Sequence, residues 1–517
     1  MSEDFGTVDR RPLIAVLAAN LFSIAGNCLT YMGVPWFVLQ STGSAAKAGI
    51  VAFCTLLPAV LAALVTGPVI DRMGRRRVSV ASDLACAVAV AAIPLLQFAG
   101  ILQFWVLCVL MAMTGLFRAP GETARGVLLP TLAERAGMPL TRAAGLYDGA
   151  ARCAALTASA LGGVLIAVLG AENVLLVDAA TFAVAAPLFA FGVRGLPEAQ
   201  AQRRAEPASL RTYRRELADG YRFVAATPLL PGLCLMTLVT RGLDQGWSAV
   251  LLPVHAREEL GGAVDLGLLN AAFGVCALTG ALVYGAVGSR FRRWPVFTIA
   301  FLIGGLPRFL VAAFTDTFTP LALTMAVEGL AFGVLNPIMA TVTYETVPEE
   351  LRSRVLSATS ASVQLVTPLG GLAAGFLVDS VGLPFSLLAV GGAYLLATLC
   401  PVIFPAWRQM DHIGSPHDGA EGSLPQDSGR NGCSHGDGRR RCSRTPDVGA
   451  PRRPQAGGPA FAPFPAAGRG IPHPYRCRVG GLSRPLRTPQ ALRRDLRPRL
   501  RHRLRPRARL RPLLPSP

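Results

Sequence analysis

Apolar runs of about 20 residues recur twelve times along this chain, at about 13–39, 46–70, 78–98, 101–119, 143–169, 173–193, 229–254, 266–288, 295–314, 318–343, 355–378 and 383–404. Each is long enough to cross a hydrocarbon layer of roughly 30 Å. In lipid every backbone N–H and C=O must be satisfied inside the bundle, so such runs have to be helices. Twelve in a row exceed what any water-soluble core needs, and only 16% of the 517 residues are charged against about 25% in an ordinary soluble domain. The fold class expected is an all-α, multi-pass integral membrane protein.

The formal charge of +19 resembles that of a nucleic-acid binder, but its distribution argues otherwise. Residues 406–517 hold 23 arginines against 7 acidic residues; the rest of the chain holds 27 basic against 24 acidic. The tail also carries five of the six histidines and no lysine, with runs such as "RRDLRPRLRHRLRPRARLRP". Such a composition cannot bury a core and is expected to be disordered. Out-of-frame reading of a GC-rich gene accounts for it better than a tether to anionic lipid. No nucleic-acid partner is expected. Eight cysteines lie scattered in apolar runs as small buried hydrophobes. Cys433, His435, Cys442 and Cys477 fit no zinc spacing, so no metal is expected.

Arginine sorts the gaps between runs into two sets. One contains Arg10–Arg11, Arg72–Arg77, Arg125, Arg135 and Arg142, the gap from Arg194 to Arg222, Arg290–Arg293, and Arg352 with Arg354. The alternate set holds Lys47, Glu172, Arg257, Glu258, Glu259, Asp265, Asp316 and Asp379. Cytoplasmic loops carry the excess of Lys and Arg, which puts both termini inside. The acidic start "MSEDFGTVDRRPL" and the lack of an A-x-A site fit no cleaved signal peptide, and the arginine pair reads as the flank of the first span.

The second half repeats the first. "GPVIDRMGRRR" at Gly67 is echoed by "GAVGSRFRRWP" at Gly285, 218 residues on; "FRAP" and "VLNP" end at Pro120 and Pro337, each expected to close a fourth helix; LGG recurs at Leu161 and Leu369. The offset falls from 218 to 208 across the half, consistent with a longer connection between helices 4 and 5 in the first copy. The expected division is a cytoplasmic segment 1–12, a six-helix bundle 13–193, a linker 194–228, a second bundle 229–404 and the tail 405–517. Duplicated membrane halves place a binding site at their interface near the midplane.

The stretch Gly67-Pro-Val-Ile-Asp71-Arg72-Met-Gly74-Arg75-Arg76-Arg77 resembles the loop between helices 2 and 3 of the major facilitator superfamily, G-x-L-x-D-R-x-G-R-[KR]-x. Val69 replaces the usual Leu, and the second copy has Ser289 in place of the aspartate. "FRAPGETARGVLLPTL", "LLVDAATFAVAAPLF", "LDQGWSAVLLPVHA" and "YETVPEELRSRVL" resemble the branch that exports drugs, macrolides and the siderophore enterobactin. Helix 5 reads Ala158-Ser159-Ala160-Leu161-Gly162-Gly163 where antiporters often have G-P-x-x-G-G. The resemblance implies two pseudo-symmetric bundles, a cavity lined by helices 1, 4, 7 and 10, and a cytoplasmic latch made by Gly67, Asp71, Arg72, Gly74, Arg75 and Arg76. The latch aspartate would pair with an arginine or face a helix N-terminus, and Gly67 would permit close approach.

An ionisable residue inside a span is a functional candidate. Arg241 and Asp244 in "TRGLDQGW" and Glu328 in "AVEGL" lie well inside their runs. Burial favours the neutral form of a carboxyl, so either acid is a candidate for proton or substrate coupling. The competing reading pairs Arg241 with Asp244, three residues apart on one face, and Arg308 with Glu328. Asn20, Asn27 and Tyr31 are candidate cavity groups, though Asn is also a common interhelical hydrogen-bonder. Asp178, Asp148 and Arg152 read as structural pairs nearer helix ends. Trp36, Trp105, Trp247 and Trp294 read as interface anchors. No nucleophile–base arrangement or G-x-x-x-x-G-K-[ST] loop is present, so neither an enzyme nor an ATP-driven pump is expected. The function expected is proton-coupled export of an amphipathic small molecule (drug, antibiotic or siderophore) across the plasma membrane, by a monomer that uses the proton gradient and no cofactor. The alternatives are an uptake permease of the same fold and a non-transporting sensor or scaffold.

Overall fold

The computed structural model describes residues 9–194 and 210–411. Twelve spans run through it: Arg11–Thr42, Ala45–Met73, Arg75–Phe98, Phe104–Val127, Leu140–Leu169, Ala171–Gly192, then Leu230–Gly246 continued to Glu258, Ala263–Val287, Arg293–Phe314, Phe318–Thr346, Glu349–Val381 and Leu383–Thr398. Eleven are long and apolar enough to cross a membrane in their own right. The seventh reaches that mark together with the preceding linker helix, from which it bends by 112°. The seventh is also the span that carries Arg241 and Asp244, and it contains a π-helical turn at Trp247–Leu251. Such turns frequently mark functional sites.

The first eleven spans are longer than their apolar runs. The fourth does not close at Pro120, nor the tenth at Pro337: both prolines lie inside helices that continue to Val127 and Thr346. Neighbouring helices in a membrane bundle re-satisfy the backbone groups a proline frees. The extra length of the first half resolves into a short helix, Leu129–Arg135, between the fourth and fifth spans. Gly74, at φ +85°, separates the second span from the third. That left-handed conformation strains any residue with a Cβ, which explains the glycine in the middle of the arginine run. Helix Leu210–Ala226 of the linker packs on the eleventh span, where the Tyr221 hydroxyl donates to Ala358 O at 3.2 Å.

Packing obeys a two-fold rule. In the first half the first span packs on the fifth and sixth, the second on the fourth, and the third on the fourth and sixth. Adding six to each number gives the contacts of the second half. The halves join along two seams, second against eleventh and fifth against eighth, which the same rule exchanges. Val88, Val168, Phe314, Phe385 and Leu396 are among the large apolar residues left on the outer faces, as a lipid-facing surface requires.

Residues 405–411 belong to the bundle although their composition resembles the tail. Trp407 is buried and stacks on Phe297 with ring centroids 5.7 Å apart, and Asp411 accepts from the Trp294 backbone N–H at 2.9 Å. The frameshift reading and Cys433, His435, Cys442 and Cys477 fall outside the described residues.

The seam between the fifth and eighth spans sets a stability test. A Cβ on Gly163 would fall 2.9 Å from the Gly267 Cα, whereas one on Gly149 meets nothing within 4 Å. Overpacking of this kind costs about 1–3 kcal/mol. Gly163→Val is expected to lower the melting temperature of the detergent-solubilised protein, and Gly149→Val to leave it nearly unchanged; thermal unfolding of the two variants checks this.

Candidate functional site

Between the halves lies a cavity of about 500 Å³, counted with the open space at its mouth. The first span contributes Asn27, Thr30, Tyr31, Val34 and Pro35; the second Val51, Ala52, Thr55 and Leu56; the fourth Met111, Thr114, Gly115 and Arg118; the seventh Gln245 and Ala249. The first, fourth and seventh spans are those the family resemblance implies. The second takes part as well, and the tenth does not reach this cavity.

One polar cluster faces the cavity from the first half. Asn27 donates to Glu122 at 3.1 Å, and the Arg118 guanidinium lies 3.7 Å from the same carboxylate oxygen. Arg118 also donates to the Tyr31 hydroxyl at 3.2 Å and sits 5.2 Å from that ring's centroid. Asn27 and Tyr31 thus line the cavity. Asn20 does not: it is buried, and its side-chain oxygen accepts from Tyr147 at 2.9 Å.

A second cluster is sealed within the first half. Arg125 donates to Asp83 at 2.7 Å and to the Ser23 hydroxyl at 2.9 Å, while that hydroxyl donates back to Asp83 at 3.2 Å. All three are buried. Arg125, assigned from sequence to a loop, is therefore inside the fourth span. One cation meets one anion here, so the cluster is balanced in charge.

The third cluster lies in the second half. The buried Arg308 of the ninth span donates to Glu328 of the tenth through one terminal nitrogen and to Asp244 of the seventh through the other. Three aromatic rings surround the same guanidinium: Phe309, Tyr394 and Trp247, at 4.6, 5.1 and 5.3 Å from their centroids. The pairing of Arg308 with Glu328 expected from sequence is present. The pairing of Arg241 with Asp244 is not, because Arg241 points outward and is exposed while Arg308 takes the acid. One cation serves two carboxylates, and the second oxygen of Glu328 has no hydrogen-bond partner among the described residues. Asp244 precedes Gln245, a cavity residue, so this cluster stands directly behind the cavity wall.

Other expectations resolve differently. Asp178 is fully buried, with Thr30 donating to it and no cation paired with it among the described residues. Asp148 and Arg152 are exposed. Trp36 and Trp247 are buried in the core and not at an interface; Trp105 is exposed at the start of the fourth span, and Trp294 is half-buried with its indole N–H on Pro401 O. In the loop of Gly67 to Arg77, Asp71 and Arg72 are exposed, and Asp71 makes no hydrogen bond or ion pair among the described residues. Arg76 donates to Ala190 O at 3.0 Å, Arg75 is half-buried, and a Cβ on Gly67 would meet nothing within 4 Å. No close approach is built on Gly67 in this conformation.

The family model described as Major Facilitator Superfamily matches residues 16–245 and 234–454. The multidrug efflux pump Tap of Mycolicibacterium fortuitum is 34% identical over 412 residues, 79% of this chain and 99% of that protein. Macrolide efflux protein A of Streptococcus pyogenes is 20% identical over 391 residues, 75% of this chain and 95% of that one. Among solved structures, the nucleoside transporter NupG superposes with a TM-score of 0.63 at 16% identity, over 76% of this chain and 98% of its own.

The Arg308 cluster makes a graded prediction. Removing one partner of a buried charge pair costs about 3–5 kcal/mol because the other is left unpaired, and Arg308→Leu would strand two acids. That variant is expected to lose most folded protein in detergent, and the triple variant Arg308→Leu, Asp244→Asn, Glu328→Gln to regain it. Arg241→Ala removes an exposed charge and is expected to change stability by less than about 0.5 kcal/mol. Monodisperse yield and thermal unfolding separate the three.

Proposed function

The chain belongs to the major facilitator superfamily of membrane transporters, and from that we propose that it exports amphipathic small molecules, drugs among them, in exchange for protons. It is a secondary transporter and not an enzyme. The export direction and the drug-like substrate are supported by the 34%-identical relative named a multidrug efflux pump, which is matched over 99% of its length, and by a cavity whose wall mixes aliphatic side chains with Tyr31, Asn27 and Arg118. A solute with an apolar body and one polar group fits such a wall. The cavity is built within one chain, so a monomer suffices.

The observation that carries proton coupling is the surplus acid around Arg308. With both carboxylates ionised the cluster holds one uncompensated negative charge in a low-dielectric setting, which a proton or a cationic solute neutralises. Glu328 and Asp244 share one guanidinium, so a proton arriving on either releases Arg308 toward the other. Asp244 adjoins the cavity wall, and a solute pressing on Gln245 and Ala249 acts on the same span. Transport then alternates between a state that holds the proton and one that holds the solute.

We read the arginine-rich end of the bundle as the cytoplasmic side of a plasma-membrane protein, with both termini inside, a reading supported by the excess of Lys and Arg in cytoplasmic loops. Asp71 sits in the last turn of the second span at that end. On closure it would meet the first turns of the eleventh span, where Arg352 and Arg354 lie. This is the latch reading, and Asp71, exposed and without a partner among the described residues, fits an open latch.

Inverted membrane vesicles energised with a proton gradient test the proposal. Uptake of lipophilic antibiotics or dyes is expected, abolished by a protonophore. Glu328→Gln is expected to reduce gradient-driven uptake at least about tenfold while leaving solute exchange without a gradient, and Asp71→Asn to slow both. Uptake by Glu328→Gln that remains fully protonophore-sensitive would remove this acid from the coupling step.

A further inference from the structure

The second and eleventh spans run antiparallel along one seam, and their contact has a regular register. A Cβ on Gly49 would lie 3.3 Å from the Leu372 Cα and one on Gly375 3.1 Å from the Ala46 Cα. Residue numbers therefore rise on one helix as they fall on the other. At the end away from the arginine-rich loops, this register brings Asp379, in the last turn of the eleventh span, onto the first residues of the second. Its carboxylate accepts three hydrogen bonds there: from the Ser44 hydroxyl at 2.6 Å, from the Ala45 N–H at 2.9 Å and from the Ala46 N–H at 3.2 Å.

The first N–H groups of a helix have no partner within it, and the helix dipole favours negative charge beside them. Ser44 already caps its own helix by accepting from the Lys47 N–H at 3.3 Å. Asp379 adds a second, charged cap, and that cap comes from the opposite half of the protein. If the halves part at this end, all three bonds break at once.

The same register applies at the other end. Asp71 lies twenty-two residues beyond Gly49, and Glu349 lies twenty-two before Gly371; continued along straight helices, the pairing of Gly49 with Gly371 sets Asp71 against Glu349, the first residue of the eleventh span. That helix has no side-chain cap on its N-terminus. Asp379 is thus seated on the start of the second span, and closure of the other end would bring Asp71 toward the start of the eleventh in the same manner. In this structure one of the two aspartates is engaged and the other is exposed.

We infer that Asp379 is a gating residue: its trans cap on the second span holds the cavity shut at the end away from the arginines, and it alternates with Asp71, one capping its neighbour while the other is free. The inference concerns which end is closed and holds for either direction of solute movement. Asp379 touches no solute; it acts by setting the balance between the two closed ends.

Hydrogen–deuterium exchange of the full chain in lipid nanodiscs reads both ends at once. Losing a charged helix cap corresponds to about a five- to tenfold change in a local equilibrium. Asp379→Ala is expected to speed exchange by that factor in residues 44–48 and 372–381 and to slow it in residues 67–77 and 349–355. Asp71→Ala is expected to shift both ends the opposite way, and Asp379→Glu to restore the wild-type pattern. A purely local cap would raise exchange at 44–48 and leave 67–77 unmoved, and that result overturns the inference. Should Asp379→Ala fail to accumulate as folded protein, Ser44→Ala removes one of the three bonds together with the cap on Lys47 N–H, so the diagnostic readout is the distant end: exchange at 67–77 must slow, by less than in Asp379→Ala, and no shift there overturns the inference too. If Asp379→Ala behaves as expected and Asp71→Ala changes nothing, the gate at Asp379 stands and the latch reading of Asp71 falls.

Discussion

Inside a bilayer a polar group has no water to fall back on, and this fold follows from the way most of its buried charged side chains and all of its spanning backbone find partners within the chain. Backbone groups are paired by making every crossing segment a helix. Side chains are paired across helices: Arg125 with Asp83 and Ser23, Arg308 with Glu328 and Asp244, Asn27 with Glu122, Asn20 with Tyr147. Each of these pairs ties two or three spans together, and together they fix how the helices of a half are rotated about their axes. What remains unpaired then becomes informative. Exposed charges within or beside the spans, such as Arg241 and Asp71, sit where solvent or a moving partner has to be available.

The two buried clusters occupy related helices but reverse their charges. In the first half the acid is on the third span and the cation on the fourth; in the second half the cation is on the ninth and the acid on the tenth. A duplicated fold that kept only packing would not need this. The consequence is in the balance: the first cluster closes on itself, whereas the second draws Asp244 from the seventh span and ends with one acid too many. The half with the surplus acid is also the half whose cavity-lining span carries a π-turn, so the ionic asymmetry and the backbone irregularity coincide on the seventh span.

Much of this architecture was legible in the sequence. The apolar runs, the repeat near 218 residues and the two intramembrane acids all proved to mark structural elements, because each leaves a periodic or compositional trace. The polar face of the fourth span did not. Arg118, Glu122 and Arg125 cluster where the apolar run stops, and a hydropathy average cannot distinguish a helix that ends from one whose charged groups are hydrogen-bonded by Tyr31 and Asn27 and paired with Asp83 on other spans. Arg308 was visible as a partner for Glu328, but its reach to Asp244 needed the ninth span to lie between the seventh and the tenth. Asp379 looked like one more acidic loop residue; its partners are more than 330 positions away. Trp36 and Trp247 misled for the opposite reason, since a tryptophan in an apolar run has the same local pattern whether it faces headgroups or, as Trp247 does against Phe309 and Arg308, the interior.

The two seams between the halves are built for different tasks. Along the fifth and eighth spans Gly163 and Gly267 pack backbone against backbone, and Gly274 meets the side chain of Leu156. Such a contact is nearly featureless, so small rotations about it change little in energy. Along the second and eleventh spans Gly49 and Gly375 also allow close approach, but here the seam ends in Asp379, whose three hydrogen bonds to residues 44–46 are directional and are lost over a fraction of an ångström. A rocking motion of the proposed kind would exchange one charged contact for another while the apolar contact is preserved, and so would have two minima with a steep boundary between them. Under that proposal the preference for one closed end over the other rests on a few carboxylate bonds and not on the large apolar interface, so a small difference in binding free energy is enough to tip it.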